Sequence, residues 1–294
     1  MSMQGVIMKA LSGFYYVSDG SALYTCRGRG KLRLDGSSPL VGDRVEFERN
    51  ADGSGTVVKI LPRRNSFVRP AVANIDLMVI VAAAVNPVSD PFLLDRMTAL
   101  AEKHDCEVLL CINKADLHRG DRLYEIYHRS GFRVIRTSAV TGEGIAELAA
   151  ALRGMTAAFS GNSGVGKSSL LNAMEPGLSL LTSEVSEKLG RGKHTTRHVQ
   201  LFPLSGGGYL ADTPGFGSFD VEQMEPIRKD ELQLCFREFA PYLGQCRFND
   251  CKHLKEPDCA VLEALHRGDI QPTRHESYAR LYEQAAKTPD WALK

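Results

Sequence analysis

The stretch "INKADLHRG", Ile112 to Gly120, decides how the chain is threaded. Its core, Asn113-Lys114-Ala115-Asp116, has the form Asn-Lys-x-Asp and follows the apolar run "EVLLCI", which reads as a strand. A carboxylate at a strand end can accept hydrogen bonds from N1–H and the exocyclic amine of guanine. Adenine lacks that pair, and a site built around such groups rejects a base that leaves them unmatched. Asp116 is therefore the candidate base reader. The Lys114 stem would lie along the base, and Asn113 would brace the loop. Farther on, "RVIRT" reads as another strand, and Ser138-Ala139 at its end would offer a backbone contact to the guanine oxygen.

A base reader needs a phosphate cradle, and the chain supplies one later than expected. Gly161-Asn162-Ser163-Gly164-Val165-Gly166-Lys167-Ser168 fits GxxxxGK[ST], with the apolar "AAF" before it and the helix-like "SSLLNAM" after it. Glycines let backbone N–H groups wrap phosphate oxygens, and a helix N-terminus adds positive potential. Lys167 would reach the β- and γ-phosphates, Ser168 would ligate Mg²⁺, and Ser169 completes the cradle. Asp212-Thr213-Pro214-Gly215 closes the strand-like "GYLA". Asp212 would hold Mg²⁺ directly or through water, and the Gly215 N–H would meet the γ-phosphate. Between these motifs lies the polar loop "SEKLGRGKHTTRHV", Ser186 to Val199. It could close over the γ-phosphate through a threonine on Mg²⁺, Thr196 or alternatively Thr195. DTPG is followed by Phe216, which cannot orient a water, so His194 is the candidate for that task.

The base-reading half thus precedes the phosphate-reading half. Strands and helices alternate from Asn74 onward: "IDLMVIVAAAV", "PFLLDRMTALAEKHD" with Leu93, Leu94, Met97, Leu100 and Ala101 on one face, "EVLLCIN", "RLYEIYHRS", "RVIRTSA" and "IAELAAAL". That alternation predicts a parallel sheet covered by helices, with ligands at the C-terminal strand ends. "HVQLFPL" and "GYLAD" read as a strand pair across Ser205–Gly208. Chain termini lie near the surface, so the same strand positions can be filled with the ends moved. The expected class is α/β, a circularly permuted phosphate-loop GTPase domain over 67–221. A consequence is that the segment after DTPG passes directly into the C-terminal part.

Around this domain the texture differs. Residues 1–66 hold short β-like runs with Asp19-Gly20 and Asp52-Gly53 at hairpin-like turns, which suggests a small barrel, and "PRRNSFVRP" reads as the linker that ends it. Residues 222–294 read as helical and polar, and hold Cys246, Cys251, His253 and Cys259. Three thiolates and one imidazole form a closed structural metal site with no open position for water. Cys26, Cys106, Cys111 and Cys235 read as core or incidental residues. In "RGRGKLRL", Arg27, Arg29, Lys31 and Arg33 alternate; if the segment is a strand they share one face, a candidate RNA phosphate-contact row. If Gly28–Gly30 is a turn, that argument weakens.

Composition sets the outer limits. The chain has 294 residues, 43% hydrophobic and 24% charged, with net charge +1. These values fit a globular protein and argue against overall nucleic-acid steering, though not against a local basic patch. The longest apolar run, Ile75 to Val85, contains Asp76 and is too short to span a bilayer. The start "MSMQGVIMKALSGFYYV" has no secretory pattern, so no membrane and a cytoplasmic location are expected.

Taken with "RGRGKLR", "PLVGDRVEF", "ILPRRNSFVRP", "NIDLMVIV", "NKADL", "TSAVTGEGI", "GNSGVGKSSLLN", "GRGKHTTRHVQLF" and "LADTPGF", the chain resembles the RsgA family, bacterial GTPases dependent on the small ribosomal subunit. The resemblance implies that the barrel is an OB-fold, that the metal is zinc, one ion per chain, and that GTP hydrolysis to GDP is stimulated by the small subunit whose late assembly the protein monitors. It also favours His194 and rRNA contact by the barrel; the expected form is a monomer. Two other readings stand beside it: an RNA-binding scaffold with guanine nucleotide as a slow-exchange ligand, and a phosphate-loop kinase or ATPase, which NKAD disfavours.

Overall fold

A computed structural model of the protein describes residues 2–29, 38–68, 70–177, 199–212 and 225–287. Its first five strands are β1 (Ser2–Leu11), β2 (Phe14–Ser18), β3 (Leu23–Gly28), β4 (Arg44–Arg49) and β5 (Gly55–Ile60). β1 pairs with β2 and β4, β3 pairs with β5 in parallel, and β4 pairs with β5, so the ring closes. Asp19 shapes the β2–β3 turn by accepting from the backbone N–H groups of Ser21 and Ala22 at 2.9 and 2.7 Å. Ile7, Val17, Val45, Phe47 and Val57 are fully buried and fill the barrel.

The segment expected to link barrel and sheet is packed. β6 (Ser66–Phe67) and β7 (Val72–Ala73) form a short hairpin, and Val72 bridges to Val41 beside the barrel. Arg63 donates to both oxygens of the fully buried Asp43, at 2.7 and 2.8 Å. Asn65 is buried and exchanges two hydrogen bonds with the backbone of Ile75, at 2.8 and 3.0 Å. These side chains find partners 10 and 20 residues away in sequence.

The second unit is a parallel sheet. Its strands are β8 (Leu77–Ala83), β9 (Glu107–Asn113), β10 (Arg133–Arg136), β11 (Thr156–Ser160) and β13 (Tyr209–Asp212), with β12 (Gln200–Pro203) antiparallel to β13. The order is β10-β9-β8-β11-β13-β12, and β12 touches β1 through Lys9 and Gln200, so sheet and barrel are continuous. Every residue of β8 is buried, as a central parallel strand requires. Met78, Ile80 and Ala82 face one core, and Leu77, Val79, Val81 and Ala83 the other. Helices α1 (Pro91–Lys103) and α2 (Asp121–Arg129) cover the first face, α3 (Ile145–Leu152) and α4 (Lys167–Met174) the second.

Two 3-10 turns, Leu232–Cys235 and Arg237–Tyr242, and helices α5 (Ala260–Arg267) and α6 (Pro272–Lys287) make the third unit. It packs on the outer side of α1, where Phe92 and Ala99 join Phe236, Phe239 and Tyr278. Leu94, Met97, Leu100 and Ala101 face the sheet as expected, but Leu93 belongs to this outer contact. Arg274, fully buried, bridges Asp95 of α1 at 2.9 Å and Glu238 at 2.6 Å. Among the described residues no helix is long and apolar enough to cross a membrane.

Candidate nucleotide site and metal centre

The described motifs of the nucleotide site gather at one edge of the sheet. Asn113 ends β9, and its neighbours Ala83 and Thr137 end or follow β8 and β10. Asn113 is 3% exposed, and its amide nitrogen donates to the Val165 carbonyl at 2.8 Å. Its amide oxygen accepts from the Thr137 hydroxyl at 3.2 Å. One buried amide thus holds the base loop, the phosphate loop and the loop after β10 together. Thr137 opens the quoted "TSAVTGEGI", but no role could be assigned to it from the sequence, because its partner lies 24 residues away.

Glycine is required where these loops meet. Gly166 has φ +96°, and a Cβ there would lie 2.3 Å from the Asn113 amide nitrogen. Gly161 has φ +147°, and a Cβ there would lie 2.4 Å from the Val81 carbonyl. Between them Val165 is fully buried and pins the loop, while Ser163 and Gly164 are exposed and Asn162 is half-buried. Lys167 curls over the loop and donates to the carbonyls of Gly161 and Asn162, at 2.6 and 2.9 Å. Burial lowers its pKa from the usual lysine value. Ser168 and Ser169 are exposed in the first turn of α4.

The base loop is preset in the same way. Lys114 adopts a left-handed φ of 60° and donates to the Asn86 carbonyl. The Ala115 N–H donates to the Thr137 carbonyl at 3.0 Å. Asp116 is exposed, and the Ser138 hydroxyl donates to its carboxylate at 2.6 Å. Ser138 is fully buried and also accepts from the N–H groups of Val140 and Thr141, at 3.2 and 3.1 Å. Ser138 therefore aims Asp116 through its side chain, a role beyond the backbone contact expected of Ser138-Ala139. Ala139 is half-buried beside it.

Asp212 ends β13, whose Ala211 pairs with Ala158 of β11, so it stands at the phosphate-loop edge and is exposed. Gly215, His194, Thr195 and Thr196 lie outside the described residues. So do Lys31 and Arg33. Of the alternating row, Arg27 and Arg29 are described, and β3 is described to Gly28. Arg27 is exposed on it, with its guanidinium 4.6 Å from the Phe14 ring, and the Arg29 N–H extends the ladder by one step to the Val57 carbonyl at 3.0 Å.

In the third unit the ligand atoms of Cys246, Cys251, His253 and Cys259 lie within 4.8 Å of one another. Cys246 Sγ is 3.8 Å from Cys259 Sγ and 3.5 Å from His253 Nδ1, and Cys259 Sγ is 3.4 Å from the same nitrogen. Zinc bonds of about 2.3 Å to sulfur and about 2.0–2.1 Å to nitrogen, in a tetrahedron, require separations of that size. The residues fit zinc. Burial lowers the His253 pKa, which favours the neutral, ligating imidazole.

Comparison with known proteins agrees with this geometry. The family model for the RsgA GTPase matches residues 60–222, and that for the RsgA N-terminal domain matches residues 4–57. The chain belongs to the RsgA GTPase family. An RsgA protein of Caldanaerobacter subterraneus subsp. tengcongensis, named as a small ribosomal subunit biogenesis GTPase, is 45% identical over 282 residues, covering 95% of this chain and 94% of its own. The RsgA of Geobacillus kaustophilus, of the same name, is 46% identical over 281 residues, with 94% of each chain covered. Among solved structures, YjeQ from Thermotoga maritima aligns with TM-score 0.83 and 35% identity, over 98% of this chain and 100% of that one. YloQ, described as a circularly permuted GTPase, aligns with TM-score 0.80 and 36% identity, over 98% and 97%. The RsgA fold, with its permuted order and amino-terminal barrel, is the one expected from the sequence, and as an RsgA family member the chain is a GTPase.

Proposed function

We propose that this GTPase acts in biogenesis of the small ribosomal subunit, binding the subunit and its rRNA late in assembly and hydrolysing GTP faster when bound. The observation that carries the nucleotide assignment is the Asn113 amide, which locks the base loop to the phosphate loop. Asp116, aimed by Ser138, reads the guanine edge; Lys114 and Ala115 shape that loop, and Ala139 flanks the guanine oxygen. Backbone N–H groups from Gly161 to Ser169 hold the phosphates, and Gly215 meets the terminal one. Lys167 would leave the Gly161 and Asn162 carbonyls for the β- and γ-phosphates. Ser168, Asp212 and Thr196 or Thr195 would hold Mg²⁺, which neutralises charge on the transferred phosphoryl group when bound. His194 orients the attacking water. Cys246, Cys251, His253 and Cys259 would hold a structural zinc ion, which contributes folding energy when bound. Arg27, Arg29, Lys31 and Arg33 contact RNA phosphates. The names of the relatives support the ribosomal assignment; a cytoplasmic monomer fits it.

The test is GTP turnover by the full chain alone and with purified small subunits. Slow turnover alone and a large increase with subunits is expected. Equal rates would remove the stimulated-hydrolysis reading and leave the scaffold reading, in which the nucleotide is a slow-exchange ligand.

A further inference from the structure

We infer that Gln233 is a positioning residue of the metal centre: its side-chain carbonyl fixes the tautomer of His253 and so selects Nδ1 as the ligating nitrogen. The inference rests on reading Cys246, Cys251, His253 and Cys259 as a zinc site.

The geometry sets the two ring nitrogens apart. Nδ1 lies 3.5 Å from Cys246 Sγ and 3.4 Å from Cys259 Sγ, and Nε2 lies 2.9 Å from Gln233 Oε1. A ligating nitrogen must present a lone pair, so the proton of the neutral ring sits on Nε2. That N–H needs an acceptor, because the residue is 2% exposed and water has little access. The Gln233 carbonyl oxygen is the acceptor. Imidazoles that bind metals are commonly held through their other nitrogen in this way, which orients the ring and raises its basicity.

Gln233 is not part of the metal loop. It sits in the 3-10 turn Leu232–Cys235, whose Leu232 and Cys235 are buried against the outer side of α1. The His253 backbone is held from another side: its carbonyl accepts from His275 Nε2 at 2.7 Å, and the adjacent Lys252 carbonyl accepts from the Tyr278 hydroxyl at 2.9 Å, both residues on α6. The ring is thus aimed from the turn that packs on α1, while its backbone is anchored by the last helix.

Two near-isosteric variants of the full chain separate aiming from packing. Gln233→Leu keeps the bulk and removes the acceptor, and Gln233→Glu keeps an acceptor. Zinc affinity is read by competition with a chromogenic chelator, and the His253 ring by ¹⁵N NMR. Gln233→Leu should bind zinc roughly 10- to 100-fold more weakly, with faster solvent exchange at Nε2–H, and Gln233→Glu should stay close to the native protein. Native-like zinc affinity in Gln233→Leu, or equal loss in both variants, would overturn the inference while leaving the zinc site intact. A native protein that holds no zinc would overturn both.

Discussion

At the scale of single residues, Asn113 and Asp116 divide one task into two measurable parts. Under the proposed assignment Asp116, held by the Ser138 hydroxyl, reads the base edge, so Asp116→Asn should shift preference from guanine to xanthine nucleotides, whose edge offers the complementary groups. Asn113 instead holds the site together. Asn113→Ala leaves the Val165 carbonyl without its donor, a stability cost of about 1–3 kcal/mol, and loosens the junction on which both loops depend. It should weaken guanine and xanthine nucleotides alike in competition binding. A change of selectivity in Asn113→Ala would contradict this division. The motifs themselves were legible because each is local: four residues for the base, eight for the phosphate. What the sequence could not display was their junction, since Asn113 and Val165 are 52 residues apart. Nor could it display Thr137 or Gln233, whose roles exist only through partners brought by the fold.

Elements show the same boundary between local and distant information. The sheet was readable from alternating apolar runs, since β8 needs apolar residues on both faces. The stretch "PRRNSFVRP" was readable as the linker that ends the barrel, but its sequence does not show that Arg63 and Asn65 meet Asp43 and Ile75. The alternating cations after Cys26 were read on the condition that they form a strand; Arg27 lies on β3, Arg29 adds one ladder bond, and Lys31 and Arg33 lie outside the described residues. Arg63→Ala would leave the Asp43 carboxylate buried without its cation, a loss of about 3–5 kcal/mol, visible as a lower urea midpoint. A change within about 0.5 kcal/mol, the usual range for surface substitutions, would show the joint to be dispensable. A second ionic contact closes the end of α1. Burial would raise the Glu225 carboxyl, but hydrogen bonds from His104 and Lys103 outweigh it and bring its pKa to about 2. An unfolded glutamate titrates near about 4.3. The contact therefore stabilises fully above that pH and is lost as pH falls toward 2. Glu225→Gln should flatten this part of the acid profile, so native and variant melting temperatures should converge on acidification. Parallel curves over that range would refute the contribution.

For the whole molecule, the three units depend on one another unequally. The third unit rests on α1 through Arg274 and its apolar contacts, whereas the nucleotide loops belong to the sheet. Chelating zinc, or replacing any one of its four ligands, should unfold the third unit and leave GTP binding in place. Circular dichroism and nucleotide binding measured together test this, and parallel loss of both signals would show a single cooperative unit. The position of β11 has another consequence, for the order of events during synthesis. It lies between β8 and β13, yet it emerges from the ribosome after β8, β9 and β10 are complete. Until then the nascent protein carries a three-stranded sheet whose most hydrophobic strand has an open edge, the kind of surface that pairs with other chains. The permuted order thus leaves the β8 edge unpaired until β11, the strand that leads into the phosphate loop, has been made, and β11 in turn waits for β13.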